Sequence, residues 1–297
     1  MRLPHHSLHL PGLYSLACAL IAVMLWAVAP LLVHAAAGIA PLRLTALSLL
    51  AGALVTLPLA SRGAAPQRGQ DTLSRGWTIT LHGLLPLLIL GAVGGYFSGL
   101  GKAPAAEAAL ITYTWPVLFV LLSQWRTQGR VTPAAVIGST IAFAGAALLL
   151  APKAGAESGA AEWAGYALAM LAACCWALYS WLCQVAPLPL TRLMPRLLMS
   201  ASVLAATASL WFEGTTPPAS TTALLAAVAI GAGPYGLAMV AWDVALRHGD
   251  SRRVGCMAYG VPVFAALFLV LAGLSSPGWQ LPVAAALVVV GCLKASR

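Results

Sequence analysis

The side chains able to do chemistry in this 297-residue sequence are aromatic rather than ionic. Trp26, Trp115 and Trp176 and the tyrosines Tyr96, Tyr113, Tyr179, Tyr235 and Tyr259 fall well inside long apolar runs, whereas Trp77, Trp125, Trp163, Trp211 and Trp279 mark the ends of runs. Indoles at run ends are what a membrane–water interface selects. An internal phenol is different, because its hydroxyl needs a hydrogen-bond partner that hydrocarbon cannot supply. As a group the internal aromatics point to a cavity with aromatic walls; for each taken singly, helix packing is an equal alternative. Such walls stack against planar apolar groups and hold an ammonium by cation–π attraction worth about 0.5–2 kcal/mol per contact. This chemistry binds an amphipathic small molecule and breaks no bond in it.

Catalytic constellations are missing from the sequence. Asp243 is the one carboxylate well inside an apolar run, and Arg247 stands four residues on, the spacing of a helical ion pair. No GxSxG and no Asp pair accompany it. His5, His6 and His9 lie in the amino-terminal tail and His34, His82 and His248 at run ends, which excludes haem ligation at membrane depth. The six cysteines form no CxxC and read as buried thiols. No catalytic residue, metal or cofactor is expected, and without an acid free at the midplane the default is facilitated rather than strongly proton-coupled movement. Arg43 and Arg196 sit inside runs, where they either bind a substrate carboxylate or anchor helix ends at the headgroups; the second is favoured. Pro116 and Pro262 read equally as hinges of a gate or as static kinks. Tyr113 and Trp115 are two residues apart, about 200° around a regular helix, so both enter one cavity only if Pro116 loosens the turn.

Composition dictates what must position these groups. With 61% hydrophobic and 8% charged residues and a mean hydropathy of +0.89, the chain is predicted to be an all-α integral membrane protein. Its net charge of +9 is spread over links between apolar runs, a pattern of membrane orientation and not of nucleic-acid binding. Ten segments are long enough to cross: 13–33, 41–60, 77–101, 104–124, 132–151, 163–185, 192–212, 221–246, 252–273 and 279–294. With both termini in the cytoplasm, Lys102 and Lys153 are the only Lys or Arg in outer links, and 12 of the 16 lie inside, Arg43 and Arg196 being within segments. The first segment, preceded by Arg2 and ending in Ala35-Ala36-Ala37, also has the look of a signal peptide. Its match to a later segment argues that it is retained.

That match belongs to an internal repeat. A shift of 150 lays Trp26-Ala27 on Trp176-Ala177; a shift of 146 lays Tyr96 on Trp242, Tyr113 on Tyr259, Pro116-Val117 on Pro262-Val263 and Gly145 on Gly291. The predicted organisation is a cytoplasmic tail over 1–12, a first five-helix repeat over 13–151, a periplasmic loop over 152–162 and a second repeat over 163–297. Five crossings is an odd number, so the second copy enters from the opposite face and the repeats are inverted. Inverted copies exchanging conformations give alternating access to a site near the midplane.

In this architecture, with Trp26-Ala27, the paired Pro-Val helices and Gly291, the chain resembles the drug/metabolite transporter superfamily, in its ten-helix branch of two EamA-type repeats. Within that branch Tyr113-Thr114-Trp115-Pro116, with Tyr96 before and Trp176 after, is similar to the exporters of aromatic amino acids. The resemblance implies a multi-pass transporter of the bacterial inner membrane exporting aromatic and other neutral amino acids, with Tyr96, Tyr113, Trp115 and Trp176 near the substrate. Expected partners are that small molecule and membrane lipid. Export of other metabolites or drugs, and a non-transporting membrane enzyme or scaffold, are the alternatives. Val261 stands where the repeat would put a second Trp115, which makes an asymmetric cavity and leaves the role of Tyr259 open.

Overall fold

The computed structural model describes residues 10–61, 73–150, 160–214, 218–273 and 278–295. Most of the predicted tail and of the 152–162 loop, the centre of the 61–76 link and the charges Arg2, Arg62, Arg68, Lys153, Glu157 and Arg297 lie outside the described residues. Among the described residues all regular structure is helical, because the runs hold too few links and turns for anything but helices to satisfy their own backbone groups in hydrocarbon.

The first half holds α1 (Leu10–Ala35), α2 (Pro41–Ser61), α3 (Arg75–Ile79) and α4 (Leu85–Leu100), the last two continuous through a π turn at Thr80–Leu84, then α5 (Ala105–Thr112), α6 (Trp115–Gln128) and α7 (Pro133–Leu150). The second half holds α8 (Ala160–Val185), a 3₁₀ turn at Leu190–Arg192, α9 (Met194–Phe212), α10 (Thr221–Ala232) and α11 (Ala238–His248), joined by a π turn at Gly233–Leu237, then α12 (Ser251–Met257), α13 (Gly260–Leu271) and α14 (Gln280–Ala295). Each of the ten predicted segments is occupied by helix. Among the described residues seven helical stretches are long and apolar enough to cross a membrane, and α7 and α14 are shorter apolar helices; α9, 19 residues long, is more polar.

Two predicted segments are each split in two. Pro116 and Pro262 offer no N–H to the turn before them, and the helix opens at Tyr113-Thr114 in one case and at Ala258-Tyr259 in the other.

The main packing partners join the two halves: α7 with α14, α2 with α9, α4 with α8, and α1 with α11. Exchanging the halves maps this set of partners onto itself. Small residues set the spacing, since there is no hydrophobic effect to drive helices together in lipid. A Cβ on Gly145 would lie 2.8 Å from the Ala284 carbonyl, and one on Gly291, its repeat mate, would overlap the Gly138 carbonyl, so α7 and α14 approach backbone to backbone. Gly95 faces the Leu168 carbonyl of α8 in the same way. Gly231 likewise meets the Ser48 carbonyl of α2, while Gly233-Pro234 opens the π turn.

Candidate functional site

A cavity opens among α1, α4, the α5–α6 break, α8, the π turn before α11, and α13. Its lining comprises Trp26, Ala29, Pro30, Tyr96, Thr112, Tyr113, Trp115, Trp176, Tyr235 and Val261, and its volume is about 60 Å³. The break explains how Tyr113 and Trp115 share it. A regular helix would point them apart, but the helix is interrupted between them: Thr114 N–H tightens onto the Ile111 carbonyl at 3.1 Å, and α6 starts afresh at Trp115.

The indoles form one continuous packed group. Trp26 meets Trp115 edge to face at 6.1 Å and 84°, Trp176 at 5.8 Å and 67°, and Trp242 at 5.1 Å and 57°. Trp115 lies 6.3 Å from Trp176, on which Tyr235 is stacked at 6.3 Å and 19°. Offset and edge contacts of this kind hold rings in fixed orientations, each worth about 0.5–1.5 kcal/mol beyond its burial. Trp26 Nε1 also donates to the Pro234 carbonyl at 2.8 Å, tying α1 to the π turn that presents Tyr235. A π turn adds a residue to the helix and shifts the side chains that follow, the local device by which Tyr235 reaches the cavity.

Six of the eight predicted aromatics therefore line one cavity: Trp26, Tyr96, Tyr113, Trp115, Trp176 and Tyr235. Tyr179 does not. It is fully buried behind Trp176, edge to face at 5.7 Å, its hydroxyl 4.0 Å from the Met194 sulfur. Tyr259 is also elsewhere, fully buried beside Ala142, Ala146 and Val288 between α7 and α14, with its hydroxyl unpaired among the described residues. Arg43 and Arg196 stand in the first turns of α2 and α9, away from the lining. Glu213, from the end of α9, caps that turn of α2 by accepting the N–H of Leu42 at 2.6 Å and of Arg43 at 3.0 Å.

Sequence reasoning passed over Trp242, which lies fully buried under Trp26 and Trp115 and donates from Nε1 to Ser180 Oγ at 3.1 Å. The signal was present: the 146-residue shift pairs it with Tyr96. Thr112 was likewise visible only through its neighbours, whereas the repeat itself singles out Val261.

Charge is kept from the cavity. Among the described residues its lining contains no Asp, Glu, Lys, Arg or His. The predicted Asp243–Arg247 pair forms, with Nε to Oδ1 at 3.3 Å, and does more than close on itself. Asp243 Oδ2 accepts from Thr191 N–H at 2.9 Å and from Thr191 Oγ1 at 2.8 Å, while Arg247 donates to the carbonyls of Ala186 and Leu188. The pair clamps the α8–α9 connection to the end of α11. A charged pair with its remaining donors and acceptors satisfied is a structural device.

Comparison with known proteins gives the family. The EamA-like transporter family matches residues 13–151 and 163–297. The aromatic amino acid exporter YddG of Ancylobacter novellus is 34% identical over 276 residues, covering 93% of this chain and 94% of that protein. A solved crystal structure of a protein 31% identical superposes with a TM-score of 0.81, covering 96% of this chain and 98% of the other. A membrane transporter and not an enzyme, multi-pass in the bacterial inner membrane, this chain belongs to the EamA-like transporter family.

Proposed function

We propose that this protein exports aromatic and other neutral amino acids by alternating access. The cavity wall carries the reading: indoles and phenols around a space whose lining has no charged side chain suit a substrate with a planar apolar group and no net charge. The name of the 34%-identical relative, an aromatic amino acid exporter, supports the same class. At about 60 Å³ the cavity is well below the roughly 300–1,000 Å³ of sites that enclose small molecules, so substrate enters only when the surrounding helices move.

Two inverted five-helix repeats, 13–151 and 163–297, supply that movement in this reading, with ten crossings and both termini cytoplasmic. Its support is the set of cross-half helix pairs that survives exchange of the halves, together with the bias of Lys and Arg to one set of links. The breaks before Pro116 and Pro262 are the hinges, placed where backbone bonds are already open. Asp243 is committed to Arg247 and Thr191, which favours facilitated over strongly proton-coupled export.

Counterflow in proteoliposomes loaded with a panel of amino acids tests the proposal. Exchange of labelled phenylalanine, tyrosine and tryptophan, well above that of glutamate or lysine and insensitive to an imposed pH gradient, is the expected result. No exchange for any amino acid refutes it, and equal competition by planar cationic dyes moves the substrate class to drugs or other metabolites.

A further inference from the structure

A second and larger cavity lies between α2, α4, α8 and α9 and shares no lining residue with the aromatic one. Its volume is about 780 Å³. Leu87, Leu171 and Phe212 border it while 54%, 49% and 83% exposed, so it is a groove open on the apolar flank of the protein, where lipid lies. From Leu87 to Gly101 it follows α4 for about 20 Å, more than the roughly 15 Å of hydrocarbon in one leaflet. Between Ser98 and the Leu87 end the lining is Leu, Gly and Ala with the Cys175 thiol, which suits a hydrocarbon chain and gives a polar ligand no anchor.

The opposite end of the groove is charged. There α2 begins at Pro41, α4 ends at Leu100 and α9 ends at Phe212, and Lys102 and Glu213 join the lining. Lys102 is exposed and makes no ion pair among the described residues. Glu213 is half-buried, and its oxygens accept from the N–H groups of Leu42 and Arg43 and from Ser209 Oγ at 2.8 Å. A carboxylate has about four acceptor positions, so one is left over. A cation and an anion at one mouth, with apolar walls running away from them, complement a zwitterion that carries a long apolar tail.

We infer that this groove binds one phospholipid whose head group carries a primary ammonium, the chemistry of phosphatidylethanolamine. The phosphate meets Lys102, the ammonium donates to Glu213, and one acyl chain lies along α4 toward Leu87. A quaternary ammonium has no N–H to donate to Glu213, and a net anionic head group leaves that carboxylate facing like charge. Since α2 and α4 belong to the first half of the chain and α8 and α9 to the second, the lipid touches both halves and its fit changes when they move against each other.

Native mass spectrometry of the full chain in detergent, titrated with phosphatidylethanolamine, phosphatidylcholine and phosphatidylglycerol of the same acyl chains, reads this site without any transport assay. Its outcome is therefore separate from that of the export proposal. The first bound phosphatidylethanolamine is expected at about fivefold lower concentration than either other lipid, the weight of one charged contact near a membrane surface. Lys102→Gln should weaken it about fivefold. Ala208→Trp sets an indole into the groove from a half-buried position on α9 and should weaken it about tenfold. Ser98→Leu, half-buried on α4, replaces Ala208→Trp if that variant fails to insert. Equal binding of the three lipids, or binding unmoved by either variant, overturns the site and leaves only a general lipid annulus. Tighter binding of phosphatidylglycerol overturns the ammonium contact at Glu213 and the choice of lipid with it.

Discussion

The hairpin α4–α6 and its counterpart α11–α13 under the 146-residue shift share an order of helices and differ in the details of the break and in the side chains attached to it. Both following helices open one turn before a proline, and both contribute to the cavity, through Tyr113 and Trp115 in one and Val261 in the other. In the first, Tyr113 keeps an α-type bond and only Thr114 is tightened; in the second, Ala258, Tyr259 and Val261 all bond three residues back, at 3.1–3.2 Å. Each tightened residue advances the chain about 120° instead of 100°, so Tyr259 is turned relative to Tyr113 and packs between α7 and α14. The hairpin tips diverge as well. Where α11 carries the clamped Asp243 and Arg247, the same shift puts Phe97 on α4 and Gly101 at its C-cap, followed by exposed Lys102. The break before a proline recurs in both hairpins; the aromatic pair at the break and the fastening of the tip belong to one hairpin each.

Asp243→Ala breaks the comparison most severely. It strands Arg247, whose side chain is only 17% exposed, and releases the connection holding Thr191. A loss of about 3 kcal/mol is expected, read as a lower unfolding temperature in detergent and poor recovery of folded protein. An unchanged unfolding temperature would mean that the clamp holds nothing. Next in size is Val261→Trp, which restores the first repeat's residue to the second. A cavity of about 60 Å³ has no room for an indole, so phenylalanine counterflow should fall about 100-fold, with normal insertion into the membrane. The reciprocal Trp115→Val removes one wall of the box while Trp26 and Trp176 remain, and a smaller loss, about tenfold, is expected in the same assay. Wild-type rates in both would take the pair out of the substrate's path.

Much of this was legible in the sequence because the decisive signals are long-range in composition and short in chemistry. Twenty-residue apolar runs report helices whatever their packing, and a nearly constant shift links Trp26 to Trp176 and Tyr96 to Trp242 without any contact being known. What the residues could not disclose was which way they face. Membrane helices are apolar all round, so no periodic stripe distinguishes Tyr235, on the cavity, from Tyr179 or Tyr259, inside the packing. The 200° separation of Tyr113 and Trp115 holds for an unbroken helix, and the break that cancels it depends on how Thr114 bonds back. Glu213 capping α2 lies 171 residues from Leu42, where no local pattern could announce it.

The smallest expected effect sharpens the comparison furthest, because it asks whether two tyrosines at equivalent positions do equivalent things. Tyr259 is fully buried with its hydroxyl unpaired, so the oxygen costs desolvation and returns nothing. Tyr259→Phe keeps the ring that fills the space beside Ala142, Ala146 and Val288 and removes only that oxygen. Counterflow should be unchanged and thermal stability equal or higher, by up to about 1 kcal/mol. Tyr113→Phe deletes the same atom from the first repeat, where it borders the cavity, and should instead weaken phenylalanine binding. If the two substitutions lower transport alike, the hydroxyl of Tyr259 reaches the substrate path when the helices move, and the two breaks are functional equivalents. If only Tyr113→Phe does, the tyrosine at the second break serves packing alone, and the two breaks are not functional equivalents.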